Sequence, residues 1–458
     1  MINLFETFDN PSRDLLISEK IAGFTIPSVV INDDGFLPDE VDSPIQYFCR
    51  LKSNHRPLYF DQVKLPHYWR ILANAQGGQV YDLKTKKANI IFTKPDNQRT
   101  VREVQWLDEN GQISWIDRYD KHATRFSKVY YDNGQPAVCE YFDIDGQKVI
   151  EQNLRSNDIF LNFKGKQRHF ADMPDLVLYY LKLKNYDLNH ILYNTLNLSL
   201  AVTLRLPADS GEDMLVWHEK LGDELPGNMQ FLIDNDTRTT KVAFQDYGDW
   251  QTKQDLIPKD SKLDFMYLGM IYPHPRANQL RSQALILTNS DRIDQLETLV
   301  KLLPNVTINI AAVTEMSGKL LAFGDYDNVE VYPQVSHAKV MELISNCDIY
   351  LDINRGNEIL DAVRGAFEQN MLILGFKETL HEPQFVARQN VYDSTEGAAR
   401  LMAQKVLSAL VKPELMGNLI DEQRRSAGDV WPKDYQRILG DWVNEWSSWR
   451  RIVCGASR

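Results

Sequence analysis

The sequence predicts an α/β protein made of two doubly wound, parallel-sheet halves, with an antiparallel β-meander inserted into the first. Three observations lead there. From Ser261 onward, apolar β-type runs at 284–287, 306–312, 329–332, 349–352 and 372–374 alternate with helical patterns. A repeat of ~20–25 residues is the spacing of parallel strands in a sheet covered on both faces. Between Arg99 and Phe170 the rhythm changes to six short β-type runs, at 101–106, 113–119, 126–131, 137–142, 148–153 and 159–163. They are divided by Asp108-Glu109-Asn110-Gly111, Asp132-Asn133-Gly134, Asp143-Ile144-Asp145-Gly146 and Lys164-Gly165. Asn-Gly and Asp-Gly supply the positive φ that hairpin turns need, so these runs read as a meander. The α/β rhythm holds on both sides of it, which makes the meander an insertion, the kind of segment that carries a partner or a substrate.

A chain of 458 residues has room for two or three domains with real cores. Apolar content of 43% and charged content of 25% are ordinary globular values and exclude a disordered or fibrous chain. A net charge of −12 argues against general nucleic-acid binding, which needs a basic face. Cys49, Cys139, Cys347 and Cys454 lie far apart without a C-x-x-C pair, which gives neither a disulfide framework nor metal-ligand spacing. That usage fits a reducing cytosol. The start, Met1-Ile2-Asn3-Leu4-Phe5-Glu6, lacks the features of a signal peptide. No window approaches the ~18 apolar residues of a spanning helix. The expectation is a cytoplasmic protein, with peripheral contact at the inner face of the membrane left open.

Taken in order, residues 1–50 read as a helix capped by Ser12 and stopped at Gly23, then a buried strand at 28–31 that empties into Asn32-Asp33-Asp34-Gly35. Runs at 58–60, 68–72, 79–81 and 89–92, with Lys84-Thr85-Lys86-Lys87 at a hairpin tip, join the meander. After Phe170 come a helix at 175–183 and strands at 191–193, 214–217 and 240–244. The expected division is an N-terminal Rossmann-like domain in two pieces (1–54 and 171–255), an inserted β domain for partner contact (55–170), a C-terminal Rossmann-like domain (256–430) and a final helix crossing back (431–458). That helix sets Tyr435, Ile438, Leu439, Trp442, Trp446 and Trp449 on one stripe. It reads as a helix packed across both domains, with a membrane-surface or partner helix beside Arg450-Arg451 as the other reading.

Two parallel-sheet domains in tandem, with a helix able to cross back, match the glycosyltransferase architecture called GT-B, whose cleft lies between the carboxyl edges of two facing sheets. Residues 357–370 followed by Met371-Leu372-Ile373-Leu374-Gly375-Phe376 resemble the helix and strand that carry the two-glutamate E-x7-E element of retaining sugar-nucleotide transferases. Here the two glutamate positions fall at Asn357 and Gly365, and a shift of one residue brings Glu358 into the first but Ala366 into the second. The Arg and Lys that meet a donor diphosphate should follow the strand at 284–287. The segment present is Thr288-Asn289-Ser290-Asp291-Arg292, with Asp291 where the lysine belongs. An aspartate repels a diphosphate. Arg292 alone could substitute, and the glycine-rich turn of the amino-terminal domain is missing as well.

With these features the chain resembles the glycosyltransferase-stabilising subunits of the accessory Sec system, which work with a catalytic O-GlcNAc transferase on serine-rich repeat adhesins of Gram-positive bacteria. The resemblance runs over most of the chain. It is carried by Met1-Ile2-Asn3-Leu4-Phe5-Glu6, by Val30-Ile31-Asn32-Asp33-Asp34-Gly35-Phe36-Leu37-Pro38, by Arg56-Pro57-Leu58-Tyr59-Phe60 and by Leu351-Asp352-Ile353-Asn354-Arg355-Gly356. It implies a GT-B-like, donor-incompetent subunit whose inserted β domain pairs with a similar one in the catalytic partner, in a heterodimer or heterotetramer, and which grips the Ser/Thr-rich acceptor. It transfers no catalytic residue, cofactor site or metal site to this chain.

Other motifs are weaker. Asp143/Asp145 and Asp234/Asp236 have the Asp-x-Asp pattern of metal-dependent transferases but sit where turns are expected. Nine histidines without H-x3-H spacing predict no metal. His337 lies between strand and helix, where cleft residues collect, with Ser336 as a candidate cap. Asn354, Arg355, Asn357 and Glu358 follow the strand at 349–352 and could hydrogen-bond an extended Ser/Thr-rich peptide or its first sugars; loop and cap duty is the plain alternative. Trp217-His218-Glu219 also ends a strand. The expected function is thus a non-catalytic adaptor that stabilises the transferase and holds its acceptor. The alternatives are an active GT-B enzyme with a donor site rebuilt from Arg292, Arg355 or Glu358, or a lectin-like binder of glycosylated adhesin.

Overall fold

The structure is a computed structural model, and it describes residues 1–51, 55–74, 76–94 and 98–442. Cys454 and the end of the aromatic stripe, Trp446, Trp449 and the Arg450-Arg451 pair, lie outside the described residues. Two compact units divide the chain: Met1–Leu268 with the segment from Tyr435 onward, and Gly269–Asp434.

In the first unit, strands β1 (Ile2–Phe5), β2 (Ser28–Val30) and β3 (Val41–Asp42) come before the insertion. The insertion supplies β4 (Arg70–Ala73), β5 (Gly78–Asp82), β6 (Thr85–Phe92), β7 (Val101–Leu107) and β8 (Ile113–Tyr119). It continues with β9 (Arg125–Asp132), β10 (Gln135–Phe142), β11 (Lys148–Asn153), β12 (Ile159–Phe163) and β13 (Lys166–Phe170). These ten strands form one sheet in strict sequence order, as expected when each is joined to the next by a short turn. After the insertion, β14 (Ile191–Tyr193), β15 (Asp213–Trp217), β16 (Thr239–Phe244) and β17 (Asp264–Tyr267) complete a seven-stranded parallel sheet of order β17-β16-β15-β14-β1-β2-β3.

The sequence does not predict β1, which lies near the middle of this sheet. Its Asn3 breaks the apolar run, and burial is bearable because the side-chain amide donates to Glu19 at 2.6 Å and to Ser28 at 3.1 Å. Ser12 is not the cap of the first helix. Asp9 is: its carboxylate accepts from the Ser12 backbone at 3.0 Å, ahead of a helix spanning Asn10–Ile21 with a proline in its first turn. Gly23 ends that helix as expected, at φ +91°.

The inserted sheet does not hang free of the first α/β sheet. Phe126, Ile150, Ile159 and Leu161 share one core with Ile2, Leu4, Val29 and Ile31, and with Leu176 and Val177 of the helix Met173–Leu183. The loop at the carboxyl end of β2 is covered by the β8–β9 turn. Gly35, at φ +88°, has the Phe126 ring and the backbone of Asp120 within 3.0 Å of where a Cβ would stand, and Lys121 donates its backbone N–H to the Gly35 carbonyl at 2.8 Å. The insertion therefore packs directly over the loop that leaves β2. Residues 432–442 are helical. Tyr435, Leu439 and Trp442 of the predicted stripe are buried there, with Trp442 stacked on His190 at 4.5 Å between centroids.

The second unit holds β18 (Gln283–Thr288), β19 (Thr307–Ala312), β20 (Val329–Tyr332), β21 (Ile349–Asp352), β22 (Leu372–Phe376) and β23 (Val391–Tyr392), all parallel, in the order β20-β19-β18-β21-β22-β23. Strand alternation splits their side chains between two cores. Ala284, Ile286, Ile349, Leu351, Leu372 and Leu374 enter one with Met402 and Val406, and Leu285, Leu287, Tyr350 and Ile373 enter the other with Leu343 and Phe367. Helices thus cover both faces, which is the doubly wound arrangement predicted from the spacing of the apolar runs.

Both Asp-x-Asp patterns are taken up in local structure. Asp143 accepts from the backbone of Asp145 at 3.0 Å and Gln147 at 2.8 Å, which makes it a turn residue. Asp234 closes the helix Gly227–Asp234 rather than a turn, and Asp236 pairs with Lys262 at 2.5 Å. Among the described residues no group of three or more His, Cys, Asp or Glu side chains is placed to hold a metal ion.

Candidate functional site

In a doubly wound sheet, ligands settle outside the carboxyl ends of the strands where the strand order reverses. In the second unit that point lies between β18 and β21, because β19 and β20 run outward on one side and β22 and β23 on the other. The two loops leaving these strands, 289–292 and 353–358, are tied by an antiparallel bridge between Ile293 and Asn354. The Arg355 N–H donates to the Arg292 carbonyl at 2.9 Å.

Asn354, Arg355, Asn357 and Glu358 all lie in the second loop, and each does something different. Asn354 is buried at 2% exposure; its Oδ1 accepts from the Gly356 N–H at 2.8 Å and lies 2.9 Å from the Thr288 hydroxyl, while its Nδ2 has no hydrogen-bond partner. Arg355 forks onto Asp294 at 2.7 and 2.6 Å, and Ser394 donates to the same carboxylate at 2.5 Å. Burial works against ionising Asp294, yet these donors outweigh it and hold the carboxyl below its usual range. Asn357 is exposed. Glu358 accepts from the Val363 N–H at 3.0 Å, the duty of a cap, and burial pushes its carboxyl up. His337 stands elsewhere. It opens the helix His337–Asn346 behind β20, with Ser336 as the cap. Two strands separate β20 from β21, or roughly 14 Å at the usual strand spacing.

The loop is fixed from below by residues that the sequence reading did not single out. His381 donates its backbone N–H to Asp352 Oδ2 at 2.9 Å; its Nδ1 lies 2.5 Å from Asp352 Oδ1 and its Nε2 2.8 Å from the Gly356 carbonyl. Both ring nitrogens face acceptors, so the ring is doubly protonated. The Asp352 hydrogen bond, against the opposing effect of burial, raises it to about 9. Thr379 adds a bond from its hydroxyl to the Asp352 carbonyl at 2.6 Å. A lone histidine in a turn carries no local signal. The available clue was Asp352 itself, a carboxylate ending a buried strand and therefore in need of a partner.

Beside this loop, at the ends of β18 and β19, lies a cavity of about 270 Å³ lined by Thr288, Asn289, Asp291, Thr314, Glu315 and Ser317 among others. Its charged lining residues are Asp291 and Glu315, both acidic. This is the location at which a GT-B donor diphosphate would sit, and its charge has the wrong sign. The cations offered for a rebuilt donor site do not repair it. Arg355 is neutralised by Asp294, and Arg292 is not among the lining residues.

Family models described as the GtfB N-terminal, middle and third domains match residues 2–48, 69–171 and 174–256, and one described as the GftB/GlyA-F C-terminal domain matches 284–423. The chain is 57% identical to the UDP-N-acetylglucosamine–peptide N-acetylglucosaminyltransferase stabilizing protein GtfB of Limosilactobacillus reuteri subsp. suis, over 96% of this chain and 99% of the relative. It is 40% identical to the protein of the same name from Streptococcus gordonii, over 96% and 98%. A chain in the crystal structure of the GtfA/B complex bound to UDP and GlcNAc superposes with a TM-score of 0.91 at 39% identity, over 96% of this chain and 99% of that one. The pneumococcal O-GlcNAc transferase GtfA, at 11% identity and a TM-score of 0.53, shares the fold, over 97% of this chain and 99% of that one. The fold is GT-B-like, with an antiparallel sheet set into its first parallel-sheet half. With four domain models in register along it and relatives matched over nearly their full length, this chain belongs to the GtfB family of glycosyltransferase-stabilising proteins.

Proposed function

We propose that this chain is the non-catalytic subunit of a peptide O-GlcNAc transferase complex: it binds and stabilises the catalytic subunit and holds the Ser/Thr-rich adhesin polypeptide to be modified. The observation that carries the non-catalytic part is the acidic lining of the cavity at β18 and β19, where Asp291 and Glu315 would repel the diphosphate of a sugar nucleotide. Transfer needs cations or helix dipoles aimed at that charge. The stabilising role rests on kinship with proteins that carry it in their names.

Acceptor binding is assigned to the loop of Asn354, Arg355, Asn357 and Glu358 with the adjoining cavity, and partner contact to the insertion at 55–170. His337 is kept as an outlying acceptor contact on the same edge of the sheet. A disordered Ser/Thr-rich acceptor contributes little affinity per residue. A second cleft held beside the active subunit raises its effective concentration at the chemistry. Peripheral contact with the inner face of the membrane belongs to the same reading. No helix among the described residues is long and apolar enough to cross a membrane.

Calorimetric titration separates this from an active enzyme. The purified chain should show no heat of binding for UDP-GlcNAc up to millimolar concentration, and should bind an unmodified Ser/Thr-rich peptide. Binding of the nucleotide in the micromolar range would restore the enzyme reading.

A further inference from the structure

The first unit has a switch point of its own. In the order β17-β16-β15-β14-β1-β2-β3 the sheet grows outward from β14 on one side and from β1 on the other, so ligand-binding loops are expected there. Asn194 directly follows β14, and His218-Glu219 directly follow the adjacent β15. Asn194 is 2% exposed, and its Nδ2 donates to the Ser12 hydroxyl at 2.9 Å. The Ser12 proton is directed at the Thr7 carbonyl and the Asp9 carboxylate, both at 2.8 Å, so the hydroxyl oxygen accepts from Asn194 and the amide has one orientation. Its Oδ1 is left buried without a donor. An unmet buried acceptor is a cost to the fold, and here it calls for a donor from outside the chain.

The groups around it are acceptors too. His218 is half-buried, and its Nδ1 is buried without a partner. Burial holds the imidazole below its usual range, against the pull of Asp9 and Glu219 and of the Asn194 backbone, so at neutral pH it lends those carboxylates no charge. Glu219 is exposed, and no cation among the described residues pairs with it. The other charges at this edge are spent. Glu6 accepts from Thr195, Asn197 and the Leu198 N–H, and one oxygen of Asp9 caps the first helix. Arg13 pairs with Asp14 at 3.6 Å, Lys220 with Asp246, and Lys121, which reaches the β2 loop, with Asp39 at 2.5 Å. What the edge presents is therefore Asn194 Oδ1, His218 Nδ1, Glu219 and the second oxygen of Asp9. A negatively charged set of acceptors fits a positively charged group that is all donor, and among side chains that means the ammonium of Lys or the guanidinium of Arg.

We infer that the edge formed by Asn194, His218 and Glu219 takes the side chain of a Lys or Arg residue in the bound polypeptide, and so selects acceptor segments that carry one. The inference rests on the acceptor binding proposed above and adds a requirement on the acceptor's sequence. The test is fluorescence anisotropy of the full chain with two labelled Ser/Thr-rich peptides, one with interspersed lysines and one with glutamines in their place. The lysine peptide should bind at least about fivefold more tightly, the scale of a charge-assisted hydrogen bond. Glu219→Gln should remove most of that preference, and Glu219→Lys should reverse it. Glu219 is exposed, so neither change disturbs packing. Glu224→Gln takes the same charge from another exposed position after β15 and should leave the preference intact. Equal binding of the two peptides by the parent would overturn the inference and leave the acceptor reading standing; binding of neither would overturn both. A preference lowered as much by Glu224→Gln as by Glu219→Gln would reduce it to the general attraction of an acidic chain for a basic peptide, and would also overturn the site.

Discussion

Asp352 and His381 are 29 positions apart in the chain, yet one imidazole ties the end of β21 to the Gly356 carbonyl and so fixes the loop that carries Asn354 and Arg355. The ring's folded pKa, about 9, lies above its ordinary 6.5. Its contribution to stability is therefore complete below about 6.5 and disappears as the pH rises through about 9. His381→Asn should lower the unfolding midpoint more near pH 6 than at about pH 10. An equal loss at both would show that the ring is uncharged in the fold. Glu19 gives the same sign of pH dependence for a different reason. Burial raises its carboxyl from 4.5 to about 8, so the folded chain holds a proton that the unfolded chain releases, and stability falls as the pH climbs between those values. Glu19→Gln should match the parent in acid and exceed it near pH 9, read as thermal midpoints. A gap that does not widen with pH would contradict a buried neutral acid. At this scale little was legible. Asn354, Arg355, Asn357 and Glu358 could be picked because they follow a recognisable strand, but His381 and Glu19 act through partners that only the fold brings near.

Elements were easier to read where burial dictates composition. β18, β19, β21 and β22 are buried on both faces, so their residues form apolar runs visible in sequence, and each predicted run overlaps its strand. Elements without such a run escaped. β13 is the edge Lys166–Phe170, mostly exposed and polar, as edges tend to be, and β1 is interrupted by Asn3. What holds elements in place was also hidden. Arg238 and Asp213, at 2% and 0% side-chain exposure, pair at 2.8 Å between β15 and the start of β16. Arg238→Met would strand a buried carboxylate and should cost about 3–5 kcal/mol in denaturant unfolding; a loss under about 1 kcal/mol would mean that Asp213 finds water or a proton. Gly375 in β22 has Leu380 Cδ2 at 2.5 Å and the Asp352 carbonyl at 2.7 Å from where a Cβ would stand. Gly375→Ala should therefore cost about 1–3 kcal/mol and weaken acceptor binding, since the displaced turn carries His381. Unchanged peptide affinity would separate that turn from the site.

For the molecule as a whole, the sequence made the two parallel-sheet halves and the insertion readable because each has its own period: helices between apolar runs in one case, turn signals between short strands in the other. It did not show how deeply the insertion is built in. Phe126, Ile150 and Leu161 share a core with β1 and β2, and the β8–β9 turn covers the loop at Gly35. Removing residues 55–170 would open that core, so loss of the catalytic subunit from such a chain must be read beside its circular dichroism, whereas retention would clear the insertion of partner contact outright. The same coupling gives the family's stabilising role a physical form. A partner that grips the insertion grips a body continuous with the first α/β sheet, and binding to the folded state alone stabilises both chains by mass action. The most direct measurement is GlcNAc transfer from UDP-GlcNAc to a Ser/Thr-rich acceptor by this chain, by the catalytic subunit and by the two mixed. Transfer by the mixture well above the catalytic subunit alone, with none by this chain, is the predicted result; turnover by this chain on its own would contradict it.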